Sequence, residues 1–307
     1  MDTVLARARL REVSPRRYAQ LAAASALSLY LIVITGAAVR LTGSGLGCES
    51  WPGCQEGAFF PATGHHSLIE FGNRTFAIFP LLLTLAAWLA APRTRGLPRW
   101  AVWLAAGAFL GTVTEAVLGL VTIRLDLHPL IVLTHFLLAL VVLGAATVVA
   151  VEAWGNARGR VESPAPPWLR RVGLLLVGAC GVLVVTGTLS TAAGPHSGDK
   201  DEIDRFWNLL DAVWIHVRAT AAFGISFLLV LGWLARNRVR SGLLWPGALG
   251  LLGLLVLQMA VGELQWRNEL PWWLVLIHVA LAAAVWAWTV AFVTALWRTP
   301  AASAAAS

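Results

Sequence analysis

Charged residues are scarce in this chain of 307 residues, where Asp, Glu, Lys and Arg together make up 13%. A soluble globular domain holds about 25% charged residues, so the composition excludes that class of protein. Hydrophobic residues make up 58% of the chain, and its mean hydropathy is +0.72. Because the apolar residues are spread along the whole chain, the sequence predicts a membrane protein with many spans.

Eight apolar runs are long enough to cross a bilayer, which requires about 20 residues. They lie at residues 18–39, 70–91, 100–122, 129–151, 169–190, 208–234, 243–264 and 272–297. Each is predicted to be a helix, because a single apolar run satisfies its backbone in lipid only that way. The expected fold is therefore all-α, a polytopic membrane protein with eight transmembrane helices. The first run lacks a convincing cleavage site and is interpreted as an uncleaved span.

The basic residues indicate an orientation. Most of the 23 Lys and Arg residues lie in the N-terminal segment, in the loops after the second, fourth and sixth spans, and in the tail. The positive-inside rule makes that side cytoplasmic, so we expect a multi-pass cell-membrane protein with both termini in the cytoplasm. The net charge of +7 then reports orientation and attraction to membrane lipid. We expect no nucleic acid as a partner, because these arginines are dispersed over short loops.

The second half of the chain repeats the first. Three residues in and between the third and fourth spans match three in and between the seventh and eighth at an offset of 143 residues without a gap: Gly119 with Gly262, Arg124 with Arg267, and His135 with His278. The segment VITG at 33–36 also resembles VVTG at 184–187. The sequence therefore predicts two pseudo-symmetric four-helix bundles, residues 1–155 and 156–307. Since each half has an even number of spans, the bundles are related by an axis along the membrane normal.

Three histidines lie within the predicted spans, where polar side chains are costly and often functional. The offset of 143 places His216 opposite Asn73, so the second half has the pair His216 and His278, whereas the first has only His135. One interpretation is interhelical hydrogen bonding. The other follows from the similar depth of the pair, which suits bis-imidazole ligation of a haem between helices. Zinc fits less well, because no carboxylate or thiol shares that depth.

Two further features bear on a haem. The chain contains no CxxCH sequence, so any haem is expected to be held non-covalently. Five arginines near the outer ends of spans are candidate partners for haem propionates: Arg40, Arg74, Arg124, Arg218 and Arg267. The alternative is that their side chains simply extend to the membrane interface.

The first outer loop, VRLTGSGLGCESWPGC, contains Cys48 and Cys54, six residues apart on the predicted oxidising side. A disulfide is expected there, with a labile, reactive dithiol as the alternative. Cys180 falls within the fifth span and is interpreted as a small buried hydrophobe.

This loop, the segment IEFGNR, and the histidines at 135, 216 and 278 in an eight-helix pseudo-repeat resemble the haem A synthases. The resemblance covers nearly the whole chain. It implies a b-type haem on His216 and His278, and an N-terminal site where haem O is bound through His135. There a methyl group is oxidised to the formyl group of haem A, the cofactor of terminal oxidases. The resemblance also implies an important acidic residue at Glu70.

One position departs from the family pattern. The family has Glu-x-x-His-Arg where this chain has EFGNR, with Asn73 at the position of the histidine. An amide is a poor iron ligand, so the substrate haem is held by His135 alone or together with His65 or His66. The alternative treats the latter two as ordinary loop residues.

The candidate catalytic residues are Glu70, Asn73 and His135. Glu70 lies one helical turn before Asn73 on the same face, where it would relay a proton or orient a water. Its alternative role is a charge favoured at a helix N-terminus. Glu115 and Glu263 also lie within spans, and the sequence assigns them no role.

Haem A synthase, an oxidoreductase, is the function that these features indicate. Two alternatives remain: a di-haem b-type quinol-oxidising cytochrome, and a non-enzymatic haem carrier or oxidase assembly factor. The candidate partners are a farnesyltransferase that supplies haem O, an electron donor and terminal oxidase subunits.

Overall fold

A computed structural model describes residues 12–51, 53–61, 64–160, 163–196 and 207–298. Nine α-helices form within these ranges: α1 Pro15–Leu41, α2 His65–Phe76, α3 Ile78–Ala90, α4 Arg99–Arg124, α5 Pro129–Arg158, α6 Pro167–Ala193, α7 Leu209–Arg236, α8 Leu244–Arg267 and α9 Trp272–Trp297. With α2 and α3 joined as one span over His65–Arg93, eight segments are long and apolar enough to cross a membrane. The all-α, eight-span prediction is confirmed. The predicted basic segment at Arg7, Arg9 and Arg11 lies outside the described residues.

Proline and polar caps begin several helices. Pro15 occupies the first turn of α1, where its missing N–H is no loss, and the Ser14 hydroxyl accepts from the Arg17 amide at 3.4 Å. The Asn208 side chain caps α7 by accepting from the Leu210 amide at 2.9 Å. The second span begins at His65 rather than at the predicted residue 70. Its first turn is helical but polar, so a prediction based on apolar runs does not include it.

The second span is interrupted at Ala77, between α2 and α3. Pro80 lies just beyond the break, and a proline within a helix both lacks an N–H and collides with the carbonyl of the residue four positions earlier. That residue is Phe76, where α2 ends. The short helix α2 therefore ends at Phe76, and the helical backbone of Ala77 joins it to α3.

The helices pack as two four-membered rings. In the first, α1 contacts α3 and α5, and α4 contacts the same two helices. In the second, α6 contacts α7 and α9, and α8 contacts the same two. The rings meet where α1 and α5 pack against α9 and where α5 packs against α6. The contacts thus form two groups of four spans, and the division into domains at residues 1–155 and 156–307 stays a prediction.

The turns between the third and fourth spans of each half show the repeat in the backbone. Asp126 and Leu127 have positive φ angles of 48° and 55°, and Glu269 and Leu270, their equivalents, have 61° and 59°. In both turns the second residue donates to the carbonyl five positions earlier, at 2.9 Å and 2.8 Å. Left-handed backbone costs a residue with a Cβ about 1–2 kcal/mol, so its occurrence at equivalent positions indicates a shared turn.

Tight packing is concentrated at the inner end of the molecule, the end at which α1 begins and α9 ends. Small residues such as Ala19, Ala22 and Ala153 are fully or almost fully buried there, which allows helices in lipid to approach closely. Glu152, fully buried, binds Arg160 and lies 3.3 Å from Arg298 Nε at the end of α9. The outer end, which carries the loop with Cys48 and Cys54, is less filled and contains the histidines.

Candidate functional site

In the second half, His216 on α7 and His278 on α9 face each other, with ring centres 6.5 Å apart and ring planes inclined by 75°. Each ring lies against a glycine of a neighbouring helix. A Cβ at Gly187 would stand 2.9 Å from His216 Cε1, and one at Gly262 would stand 3.1 Å from His278 Cε1. The absence of side chains at these two glycines therefore makes the space in which the imidazoles sit.

The pair fits a metal held between two imidazoles. A metal–nitrogen bond to histidine is about 2 Å long, and ring centres 6.5 Å apart are a separation that suits one metal ion between the two imidazoles. His216 Nδ1 lies 3.2 Å from the Thr186 hydroxyl, a partner that orients the ring and leaves Nε2 for a ligand bond. His278 Nε2 lies 3.1 Å from the Gln258 amide nitrogen, so ligation through that atom would displace Gln258.

The first half has a cavity of about 450 Å³ in the corresponding place, within the range of cofactor sites. His135, Asn73 and Gly36 line it. The Thr35 hydroxyl donates to Asn73 Oδ1 at 2.7 Å, as Thr186 contacts His216 in the second half. Among the described residues, no atom lies within 4 Å of a Cβ built on Gly36. Asn73 therefore keeps the hydrogen bond of the aligned histidine and leaves the volume of its ring empty.

The cavity is polar at its outer end and apolar at its inner end. Arg40, Arg74 and Trp51 line the outer end. The inner wall is apolar and includes Leu29, Val33, Leu81, Phe136 and Ala139. A flat amphipathic molecule with acidic groups on one edge matches this division.

Glu115 on α4 is the nearest charged partner of His135. Its carboxylate oxygen lies 2.8 Å from His135 Nδ1, and the Glu115 side chain is 14% exposed whereas that of His135 is 37% exposed. A Cβ on Gly119 would stand 3.7 Å from His135 Cε1 and 3.8 Å from Nε2. The contact with Glu115 thus engages one ring nitrogen and leaves the other available.

Glu70 and Arg74 hold the outer loop against the cavity. The buried Glu70 carboxylate accepts from the Arg74 guanidinium at 2.5 Å and from the Cys48 amide at 2.9 Å. Arg74 also donates to the carbonyls of Ser50 and Gly53, each at 2.7 Å. Both side chains line the cavity as well, so they join its wall to the loop that covers it.

The loop carries the expected disulfide, Cys48–Cys54. Cys180 is fully buried in α6, as predicted. Its position within the packed second bundle matches its interpretation as a small hydrophobe.

The remaining arginines differ in their surroundings. Arg40 donates from α1 to the Thr191 carbonyl of α6 at 2.7 Å and so bridges the halves. Arg267 pairs with Glu263 at 2.6 Å, where both side chains are largely exposed. Arg218 lies over the Trp214 ring at 5.0 Å, and Arg124 is exposed at the end of α4. Their proposed contacts with propionates stay predictions.

The two upstream histidines belong to the first turn of α2 rather than to a loop. His66 Nδ1 lies 2.9 Å from the Ser44 hydroxyl, and His65 is exposed. Neither is among the described residues that line the cavity. Their position therefore gives no support to either as a ligand in the first half.

Sequence reasoning missed three residues of these sites, Thr35, Thr186 and Gln258, and named Glu115 without assigning it a role. The signal was available, because the offset that aligns His135 with His278 also aligns Glu115 with Gln258. The two threonines are the third residues of the matching VITG and VVTG segments. Each half thus has four residues at equivalent positions: Thr35, Asn73, Glu115 and His135 in the first, and Thr186, His216, Gln258 and His278 in the second. The two sets differ at the second and third positions and are identical at the other two.

These features define an all-α membrane protein with a paired-imidazole site in one bundle and a single-imidazole cavity in the other. The chain belongs to the COX15-CtaA family, described as cytochrome oxidase assembly protein, which matches residues 19–290. The resemblance to haem A synthases is thereby confirmed at the level of the family.

Individual relatives agree with this assignment. The chain is 28% identical over 272 residues to "Heme A synthase" of Symbiobacterium thermophilum, covering 84% of this chain and 88% of the relative. It is 32% identical over 120 residues, 38% of each chain, to "Heme A synthase" of Bacillus licheniformis. It is also 26% identical over 274 residues to "Protoheme IX farnesyltransferase" of Thermus thermophilus, covering 83% of this chain and 44% of that longer protein.

Proposed function

We propose that the protein is a haem A synthase, which oxidises the methyl group of haem O to the formyl group of haem A. The observation that carries the proposal is the asymmetry of the repeat. One half has two imidazoles that face each other, and the other has a cavity of about 450 Å³ with one imidazole and an amide. The paired imidazoles suit a haem that stays bound and transfers electrons, and the cavity with one imidazole suits a substrate that must enter and leave.

The second half, residues 156–307, would hold a b-type haem between His216 and His278. A haem with two imidazole ligands supplies electron transfer and has no open position for oxygen. Thr186 orients His216 through Nδ1. Arg218, two residues beyond His216 on α7, and Arg267, the last residue of α8, are the candidate partners of the haem propionates.

The first half, residues 1–155, would bind haem O as substrate. His135 would bind its iron, and Asn73 and the space beside Gly36 belong to the same cavity. Arg40 and Arg74 at the outer end would take the propionates, and the apolar inner end would take the hydrocarbon substituents. We assign Glu70 to this pocket as the group that orients a water or moves a proton.

Supply of haem O would come from a farnesyltransferase. The Thermus relative named for that activity has more than half of its length outside the region matched here, which favours a physical association between the two activities. The product would pass to terminal oxidase subunits, in keeping with the family description of cytochrome oxidase assembly. Both termini would lie in the cytoplasm, with the disulfide loop outside.

Pigments extracted from the purified protein and identified by mass test the function. Co-expressed with a source of haem O, the wild type should yield haem B together with haem O and haem A. His135→Ala should lose haem A and keep haem B, and Glu70→Ala should do the same, whereas His216→Ala should lose haem B. His65→Ala is the matched control and should resemble wild type.

Two results would contradict the proposal. Haem B alone at two equivalents would indicate a di-haem cytochrome. Unaltered haem O that is bound and released without conversion, in the presence of a competent electron donor, would indicate a carrier.

A further inference from the structure

Glu115 and its repeat equivalent Gln258 contact equivalent histidines with different chemistry. Glu115 presents a carboxylate oxygen to His135 Nδ1 at 2.8 Å. Gln258 presents its amide nitrogen to His278 Nε2 at 3.1 Å. A carboxylate accepts hydrogen bonds, whereas an amide nitrogen donates them. The two halves therefore treat the matching imidazoles in opposite ways.

The contact in the first half involves Nδ1 of His135, which lies 2.8 Å from the Glu115 oxygen but is not aligned with it for a hydrogen bond. When the ring turns so that Nδ1–H points at Glu115, Nε2 is the unprotonated nitrogen, the form that binds a metal. Glu115 and His135 both line the cavity. Among the described residues, His135 is the sole side chain paired with Glu115 by charge. The buried carboxylate is thus dedicated to this imidazole.

The contact in the second half does not serve the same purpose. There the Gln258 amide occupies His278 Nε2, and His278 Nδ1 is buried without a hydrogen-bond partner among the described residues. Gln258 must withdraw before Nε2 binds a metal. Because the side chain of Gln258 is a neutral amide, it cannot serve His278 as a carboxylate partner.

We infer that Glu115 is a positioning residue of the substrate site, which accepts the Nδ1–H of His135, fixes its tautomer and strengthens it as a ligand. This inference rests on the proposed function, because it takes His135 as the ligand of the substrate haem. Carboxylate partners of metal-bound histidine orient the ring and raise its basicity, and their loss typically costs about 10–100-fold in metal affinity or activity. The more basic ligand would make the haem on His135 harder to reduce than the same haem on an imidazole without that partner.

The test exchanges the carboxylate of Glu115 and the amide of Gln258 between the two halves. Glu115→Gln gives the first half the amide of the second, and Gln258→Glu gives the second half the carboxylate of the first. Glu12→Gln is the matched control, because it makes the same change on an exposed glutamate that pairs with Arg95, away from both proposed haem sites. The readouts are titration with haem O, the iron–histidine stretching frequency from resonance Raman spectra, and the midpoint potentials of both haems.

Glu115→Gln should bind haem O about 10–100-fold more weakly, with a lower iron–histidine frequency and a higher potential for that haem alone. Gln258→Glu should lower the potential of the resident haem, and Glu12→Gln should match wild type. Unchanged affinity, frequency and potential in Glu115→Gln would overturn the inference. The variant His135→Ala distinguishes failure of the Glu115 inference from failure of the proposed function. If His135→Ala also leaves haem O binding and the Raman band unchanged, then His135 is not the ligand, and both the inference and the proposed substrate site are wrong.

Discussion

Gly187→Ala is the sharpest test of the paired-imidazole site, because the change is one methyl group in a helix that should tolerate it. The new Cβ would stand 2.9 Å from Cε1 and 3.3 Å from Nδ1 of His216. Carbon atoms in contact prefer about 3.5–4.0 Å, so the imidazole would have to retreat by about 0.6–1 Å. Residues that bind a cofactor must stay within about 0.5 Å of their productive positions, so we expect this displacement of His216 to cause loss of the low-spin resident haem.

Gly36→Ala is the matched control, since Gly36 is the repeat equivalent of Gly187 and its Cβ would meet no described atom within 4 Å. Alanine is favoured over glycine inside a helix by about 1 kcal/mol. Both variants should therefore insert and remain folded, with Gly36→Ala as stable as wild type or more so.

The assay is the ratio of haem B to protein together with the electron paramagnetic resonance spectrum of the oxidised protein. Gly187→Ala should retain less than a tenth of the low-spin signal, and Gly36→Ala should retain all of it. A wild-type ratio and spectrum in folded Gly187→Ala would mean that His216 either is not a ligand or does not pack against α6 as described.

Three other features lead to expected outcomes. Removing one member of a buried ion pair typically costs about 3–5 kcal/mol, so Glu152→Ala should lower the thermal unfolding temperature more than Arg298→Ala, whose charge is partly exposed; equal and small shifts would show that the cluster is not important for stability. Mass mapping without reductant should recover Cys48 joined to Cys54, and two free thiols in protein isolated without reductant would contradict the bridge. Reporter fusions at the C-terminus and after Trp51 should report opposite sides of the membrane, and the same side for both would contradict the orientation.

The sequence predicted the spans and the histidine positions well, because hydropathy and the repeat are properties of long segments. The helix bounds differ from the predicted ones mainly where polar residues continue a helix beyond its apolar part, as at His65. The equivalence of Glu115 and Gln258 was accessible through the internal alignment, but their contacts with His135 and His278 depend on how the helices pack.

Other features had no signal in the sequence. Arg74 was expected to bind a propionate, and the structure also engages it with Glu70 and with carbonyl groups of the outer loop. Backbone carbonyls are present at every residue, so nothing in a sequence marks those of Ser50 and Gly53 as acceptors. The packing of the halves against each other likewise depends on surfaces that hydropathy does not distinguish from those facing lipid.

The break at Ala77 distinguishes the two halves. The repeat aligns Pro80 with Phe223, which is fully buried in the uninterrupted helix α7. The helix beside the pocket of the first half is therefore divided in two, and its counterpart in the second half is continuous. On the proposed function, the first pocket would release its product in every turnover, whereas the second half would keep its haem. We expect the divided helix to favour product release, the step that limits the rate of many enzymes.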